Sequence, residues 1–371
     1  MGKCVHCGRK SITVSDVIGL CSDCLRKMSE VHVNIIEAHR RARDELKLPN
    51  ISLREGGFRC SFCINGCFLD SVTVGFCGNY LYSSGLKSVL SSYDLAYGSW
   101  YYDPHPTNCV AFPVCPAVTG RGFPKYSLRS DGERGYYNLA VFYATCSLNC
   151  LYCQNWRGRK ESLEFKSIMS VEELVNAALH SKVTCVCYFG GDPTPNIIHA
   201  LRTSKEIARK LDAGRVLRIC WETNGTLNPK LMEEVVKISL RSGGIVKIDL
   251  KAWTPNTYYA LTGVKAVERV KENIKLVASY MDLREDPPLL VVSVLLVPGY
   301  VDFTEVRCIA EYLASINNEI PVVLLAFRPD FILRDLPPTS KNHMYRSLEI
   351  MREYGLNKVF IGNEWLLGNY Y

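Results

Sequence analysis

NLAVFYATCSLNCLYCQNW (138–156) runs two signals together. Its first part, NLAVFYA, is apolar at odd and even positions alike, as expected of a strand buried on both faces. Its second part places Cys146, Cys150 and Cys153 in a C-x3-C-x2-C spacing, with Tyr152 before the last cysteine. A structural zinc site needs four ligands, so three thiols in one loop leave a coordination position open.

The texture of NLAVFYA recurs in VTCVCYFG (183–190), VLRICWET (216–223), IVKIDLK (245–251), LLVVSVLLV (289–297), VVLLAF (322–327) and KVFIG (358–362). Between these runs lie amphipathic stretches at helical spacing, among them SVEELVNAALH, PNIIHALRTSKEIARKL, PKLMEEVVKISLRS and TEVRCIAEYLASI. Doubly buried strands, each followed by a helix, imply a parallel sheet of βα units. A run of about six such units with right-handed crossovers predicts an α/β fold, a partial (βα)6 TIM-like barrel over 136–371. A doubly wound open sheet is the alternative. Either way, function belongs at the C-terminal ends of the strands, where the three cysteines lie.

The chain has 371 residues, 47% apolar and 22% charged, with mean hydropathy near zero, which fits a well-packed protein and excludes a disordered one. No window approaches the roughly 18 unbroken apolar residues of a membrane span. The start, MGKCVHCGRK, lacks the apolar core of a secretory signal, so the expectation is a cytoplasmic protein with no membrane partner. A net charge of +7 permits an acidic partner without demanding one. The basic runs HRRAR (39–43) and RGRK (157–160) read as solvated faces.

Seventeen cysteines are far above ordinary usage, and the cytosol keeps thiols reduced, so metal ligation is the better reading of the short, regular spacings. Cys4, Cys7, Cys21 and Cys24 form CxxC, thirteen residues, CxxC; this predicts a zinc ribbon, whose bound ion replaces a hydrophobic core. His6, inside the first knuckle, reads as a loop residue. Residues 28–47 read as a linking helix with Val31, Ile35, Ala38 and Ala42 on one face, completing an N-terminal unit over 1–50. The segment 51–135 is loop-rich, with aromatic strand candidates GNYLYSS and YGSWYYD. There Cys60, Cys63, Cys67 and Cys77 predict an auxiliary Fe–S cluster or a zinc site, to which Cys109 and Cys115 are possible contributors. Cys185, Cys187, Cys220 and Cys308 lie in apolar runs and read as small core residues.

C-x3-C-x2-C directly after the first strand of a partial barrel, with Tyr152 inside it, resembles the signature of the radical S-adenosylmethionine (SAM) superfamily. The resemblance implies a [4Fe–4S] cluster on Cys146, Cys150 and Cys153, whose open iron chelates the amino and carboxylate groups of SAM. One electron then cleaves SAM to methionine and a 5′-deoxyadenosyl radical, which abstracts hydrogen. GGDPTP (190–195) resembles the superfamily's GGE motif and implies Gly190, Gly191 and Asp192 near SAM. ETNG (222–225) and IDLK (248–251) resemble pyruvate formate-lyase activating enzyme. That likeness implies Glu222 and Asp249 as possible ligands of a monovalent cation, and Tyr152, Asn224, Asp249 and Lys251 as neighbours of SAM.

The leader C-x2-C-x3-C-x9-C-G, ending at Gly78, resembles the radical SAM proteins of the AmmeMemoRadiSam system and their archaeal relatives. So do YGSWYYDP, CQNW (153–156), VPG (297–299), FRPD (327–330), DLPPT (335–339) and IGN (361–363). The likeness covers about residues 58–365, and the zinc ribbon stands outside it as an addition. Two positions depart from the pattern. Ser293 replaces the arginine that holds a glycyl peptide in activating enzymes, and Arg328 replaces a frequent histidine, a change that favours gripping an anion. The resemblance thus implies an enzyme served by a low-potential ferredoxin or flavodoxin and acting on a protein or peptide. RNA docked by the ribbon and basic helix is the alternative. A non-enzymatic Fe–S or zinc scaffold is the third reading. No acid–base residue is assigned.

Overall fold

The computed structural model describes residues 1–49, 57–72, 74–82, 86–88, 93–107 and 109–371. Its centre is a nine-stranded sheet formed by β1 (Leu95–Pro104), β2 (Tyr137–Tyr143), β3 (Ile168–Ser170), β4 (Val183–Phe189), β5 (Arg218–Thr223), β6 (Val246–Asp249), β7 (Leu290–Leu296), β8 (Val322–Ala326) and β9 (Val359–Gly362). The spatial order is β9-β8-β7-β6-β5-β4-β2-β1-β3. From β2 to β9, leaving out β3, every neighbour is parallel and the order follows the chain. That order has no reversal, so the doubly wound alternative is not realised.

All seven apolar runs form strands. The first six are followed by helices, and β9 by a single 3-10 turn, Glu364–Leu366. Period-two geometry divides β4 between two environments. Val186 and Tyr188 join the main core, whereas Cys185 and Cys187 form a separate buried cluster with Cys220 of β5. The YGSWYYD run is not confined to the leader segment: as part of β1 it pairs antiparallel along the whole of β2.

The helices are α1 (Val33–Glu45), α2 (Trp156–Glu164), α3 (Val171–Ala178), α4 (Ile197–Lys210), α5 (Pro229–Ser242), α6 (Pro255–Thr262), α7 (Val267–Ala278), α8 (Phe303–Ile316) and α9 (Lys341–Glu353). Their ends follow local chemistry. Ser170 and Glu173 form a reciprocal capping box on α3. On α5, Asn228 accepts from the N–H of Lys230, Pro229 sits in the first turn, and Gly243 adopts the left-handed conformation that ends the helix. The linking helix α1 is shorter than the expected 28–47. His32 caps its start by accepting from Asn34 N–H, while the Met28 carbonyl accepts instead from the Asn256 side chain. Among the described residues, no helix is long and apolar enough to cross a membrane.

The N-terminal unit is packed onto the sheet, and its Cys4, Ile18, Leu25 and Ile35 belong to the main core. Its loop is clamped by the Tyr300 hydroxyl, which accepts from Ser15 N–H at 3.0 Å and donates to the Leu20 carbonyl at 2.9 Å. Asp335 accepts from Asp16 N–H at 2.7 Å, and Arg26 pairs with Asp302 at 2.9 Å.

At the opposite end of β5, fully buried Arg218 pairs with fully buried Glu133 at 2.6 Å. Burial alone would raise the Glu133 carboxyl, but the guanidinium prevails and holds it down to about 2. Such a pair is most costly when one partner is removed, because the other charge is left without compensation. Glu133→Gln is expected to lower unfolding stability by about 3–5 kcal/mol in urea titrations at neutral pH. A depressed carboxyl stabilises above its unfolded value, so the wild-type contribution should fade as pH falls from about 4 towards about 2. Equal stability of the two proteins at pH 7 would refute this account.

Candidate active site

The loop from Ala144 to Asn155 leaves the C-terminal end of β2 and carries Cys146, Cys150 and Cys153 to the wall of a cavity of about 750 Å3. The same cavity receives Gly190 after β4, Glu222 of β5, Asp249 of β6 and Ser293 of β7. The loop is tied down from several sides. His39 of α1 is buried and its ring contacts the carbonyls of Asn149, Tyr259 and Ala260, while Asn149 donates to the His39 carbonyl at 2.9 Å. The Leu151 carbonyl accepts from Ile332 and Leu333 N–H at 2.9 Å. Trp156 donates to Asp330 at 3.0 Å and stacks on Phe331.

The donor set fits an iron–sulfur cluster. Cys146 receives hydrogen bonds from Leu148 N–H at 3.4 Å and from the Asn224 amide at 3.7 Å, the kind of donor that stabilises a ligating sulfur. Arg159 is buried, donates to the Ala144 carbonyl at 2.9 Å, and reaches Cys153 Sγ at 3.8 Å. It has no carboxylate partner within ion-pair distance among the described residues. Burial pushes the Cys150 thiol up to about 12 and raises Cys146 as well, so without a metal these two thiols stay neutral. Thiolates held by a metal would supply the missing negative charge.

Spacing separates two kinds of cysteine set. A tetrahedral zinc ion with 2.3 Å bonds holds its sulfurs about 3.8 Å apart. Among the described residues, Cys4, Cys7, Cys21 and Cys24 form the one group of three or more ligand atoms lying within 4.8 Å of one another, and they could hold a metal ion. Burial opposes ionisation of Cys4, but the N–H groups of Cys7, Cys21 and His6 bring it down to about 6. The three loop cysteines are spread more widely than a single ion would gather them.

Gly190 and Gly191 have φ of +68° and +59°, and a Cβ would strike the Phe142 ring at 1.9 Å or the Tyr143 carbonyl at 2.1 Å. Only glycine leaves this strand end open beside the cavity. Asp192 lines the cavity, yet its oxygens are engaged internally: they accept from Thr223 Oγ1 at 2.9 Å, Asn224 N–H and Thr194 N–H at 3.0 Å, and Ser147 Oγ at 3.3 Å. Asn224 in turn donates to Ser147 Oγ at 2.9 Å. Both are positioning residues. Tyr152 is buried, lines the cavity edge-on to Phe327, and its hydroxyl has no partner among the described residues.

The expected cation pair looks different in three dimensions. Lys247 places its ammonium 3.2 Å from Glu222 and 2.8 Å from Asp249, so this chain's own cation bridges the two carboxylates. Lys251 holds the other oxygen of Asp249 at 2.8 Å, and Ser293 Oγ donates to Asp249 as well. Burial would raise the Asp249 carboxyl, but the two ammonium groups hold it far below the ordinary carboxylate range. Ser293, noted as a departure, thus serves Asp249. Arg328 is half exposed, pairs with Asp330 at 2.7 Å, and does not line this cavity.

Sequence reasoning missed Lys247 and Arg159, each hidden in an ordinary-looking run. Cys109 and Cys115 do not join the leader cysteines; with Cys185, Cys187 and Cys220 they surround a second cavity of about 20 Å3. Cys185 and Cys220 approach to 3.6 Å, and Cys109 donates to Glu222 at 3.3 Å. This small cavity shares Cys109, Glu222 and Lys247 with the large one. The basic runs are solvated only in part. Arg40, Arg41 and Arg157 are exposed, whereas His39, Arg43 and Arg159 are buried, and Lys160 is paired with Glu45.

Residues 140–302 match the family model of the radical SAM superfamily. An uncharacterized protein of Methanocaldococcus jannaschii is 24% identical over 316 residues, 84% of this chain and 83% of that one. A 7-carboxy-7-deazaguanine synthase of Methanospirillum hungatei is 35% identical over 103 residues, 27% of this chain and 40% of that protein. A radical SAM methyltransferase from Sphaerobacter thermophilus aligns with a TM-score of 0.45 and 14% identity, over 61% of this chain and 66% of that one. Residues 140–302, somewhat under half of the chain, are thus similar to the radical SAM domain.

Proposed function

We propose that this enzyme cleaves SAM reductively at a [4Fe–4S] cluster and abstracts hydrogen from a protein or peptide substrate. The observation that carries the reading is the loop of three thiols, opening on a large cavity beside the Arg159 guanidinium, which has no carboxylate in ion-pair reach among the described residues. Cys146, Cys150 and Cys153 would hold the cluster, and the bare backbone of Gly190 and Gly191, with Tyr152 and Lys251, would hold SAM. The bound cluster supplies the electron that cleaves the sulfonium, and the resulting 5′-deoxyadenosyl radical takes the hydrogen atom. The chain's own residues orient and exclude water. Asp249, saturated by two ammonium groups, fixes charge and does not accept protons. The seven parallel strands with their helices are read as the partial barrel of this superfamily, and the N-terminal cysteine tetrad as a zinc ribbon.

Two features favour a protein or peptide over RNA. Phe112 and Trp365 line the cavity and are 49% and 75% exposed, an apolar rim for a side chain to cross. Within the two basic runs His39, Arg43 and Arg159 are buried, which narrows the face they could offer an RNA backbone. Binding of tRNA that weakened steeply with salt would reverse this preference.

With anaerobically reconstituted protein, Cys150→Ala should reduce 5′-deoxyadenosine formation to background while the N-terminal zinc stays bound. Loss of zinc and SAM cleavage together would overturn this division of labour. Lys247→Met removes the ammonium between Glu222 and Asp249 and should cost about 3–5 kcal/mol of stability. The depressed Asp249 carboxyl stabilises above its unfolded value of about 4. Without Lys247 its folded value rises, so the acid limb of the Tm–pH profile should move to higher pH. An unmoved acid limb would sink that assignment.

A further inference from the structure

The leader cysteines close on one another. Cys60, Cys63, Cys67 and Cys77 all line a single cavity of about 10 Å3, walled by Phe62, Leu69 and Tyr80. The Cys60 N–H donates to the Cys67 carbonyl at 2.8 Å, closing a short hairpin, and Phe76 N–H donates to Cys67 Sγ at 3.2 Å. Yet these four sulfurs, unlike the N-terminal tetrad, contain no trio within 4.8 Å of one another. Four convergent thiols spaced too widely for one tetrahedral ion fit a polynuclear cluster.

Charge supports this independently. Arg43 of α1 is buried, and its guanidinium lies 4.4 Å from the centroid of the Phe76 ring, next in sequence to Cys77. It donates to the Pro49 carbonyl at 2.8 Å and the Phe76 carbonyl at 2.9 Å, with no carboxylate in ion-pair reach among the described residues. Arg159 stands in the same relation to the other cysteine loop, and the two guanidinium groups are close enough to repel each other. Each thiol set thus has a buried guanidinium beside it that, among the described residues, has no carboxylate in ion-pair reach, a setting that suits an anionic cluster.

The two sets are also joined. Asn65 donates to the Ser147 carbonyl at 2.8 Å, so one hydrogen bond spans from two residues past Cys63 to the residue after Cys146. Cys63 pairs with Leu227, and Ile64 N–H donates to the Thr226 carbonyl at 3.0 Å. Tyr80 and Asn79 both donate to the Pro195 carbonyl of the GGDPTP loop.

We propose that Cys60, Cys63, Cys67 and Cys77 hold a second [4Fe–4S] cluster that relays single electrons to the cluster at Cys146, Cys150 and Cys153. An external low-potential one-electron reductant reduces the leader cluster. That cluster gives the electron to its neighbour and returns to its oxidised state, with no bond made or broken. The relay rests on the proposed SAM-side cluster, and the experiment separates the two.

Full-length protein is reconstituted anaerobically with iron and sulfide in three forms: wild type, Cys63→Ser/Cys77→Ser, and Cys146→Ser/Cys150→Ser/Cys153→Ser. Wild type should carry about eight irons and each variant about four. The EPR signal of the reduced leader variant should respond to SAM, and that of the triple variant should not. Full iron in the triple variant would defeat the SAM-side reading and with it the relay, leaving only the leader cluster standing. Full iron in the leader variant, or zinc in its place in wild type, would defeat this proposal. Arg43→Met, which keeps all eight thiolate and sulfide sites in principle intact, tests the relay without removing a ligand. Loss of the positive charge should lower the leader cluster's midpoint potential and slow flavodoxin-driven reduction of the SAM-side cluster about tenfold or more. An unchanged potential and rate would overturn the relay.

Discussion

One buried carboxylate organises the site. Asp192 accepts hydrogen bonds from the loop after β2 through Ser147, from its own loop through Thr194, and from the end of β5 through Thr223 and Asn224. Three strand ends are thereby held in one register around a single side chain. Its acceptors would be costly to bury unmatched, and matching them fixes where each loop must run. Cys146 precedes Ser147, Asn224 bonds to Asp192 through its own N–H, and Gly190 lies two residues before Asp192 itself.

Charge around the cavity is arranged by local neutralisation. Glu222 and Asp249 enclose Lys247, and Asp249 also receives Lys251. Among the described residues, the two guanidinium groups near the cysteine loops have no carboxylate in ion-pair reach and are held by backbone carbonyls instead. Thiolates held by a metal beside them would supply negative charge. The pattern thus distinguishes cysteines that sit beside a cation from those of the β4–β5 cluster, where Cys185 and Cys220 meet one another.

Strands were legible because doubly buried runs such as VTCVCYF carry their signal locally, and all seven were found. The three loop cysteines, the glycine pair and Asp249 were legible because a motif fixes both spacing and place. What escaped depends on partners distant in the chain. Lys247 reads as one polar residue in an apolar run, and its meaning requires Glu222 from the next strand. Arg43 and Arg159 look like members of solvated basic runs until α1 and α2 are packed. Cys185 and Cys187 share an apolar run with Val186 and Tyr188, and hydrophobicity alone does not say which face turns to the core.

The clamp on the N-terminal unit has a thermodynamic consequence. Arg26, two residues after Cys24, pairs with Asp302, which caps α8. Glu305 of that helix accepts from Thr254 N–H at 3.0 Å, three residues beyond Lys251. On the other side, Tyr300 grips the loop that ends at Cys21. A metal ion bound by the tetrad would stabilise the folded N-terminal unit by mass action, and these bonds tie that unit to the chain that follows β6 and β7.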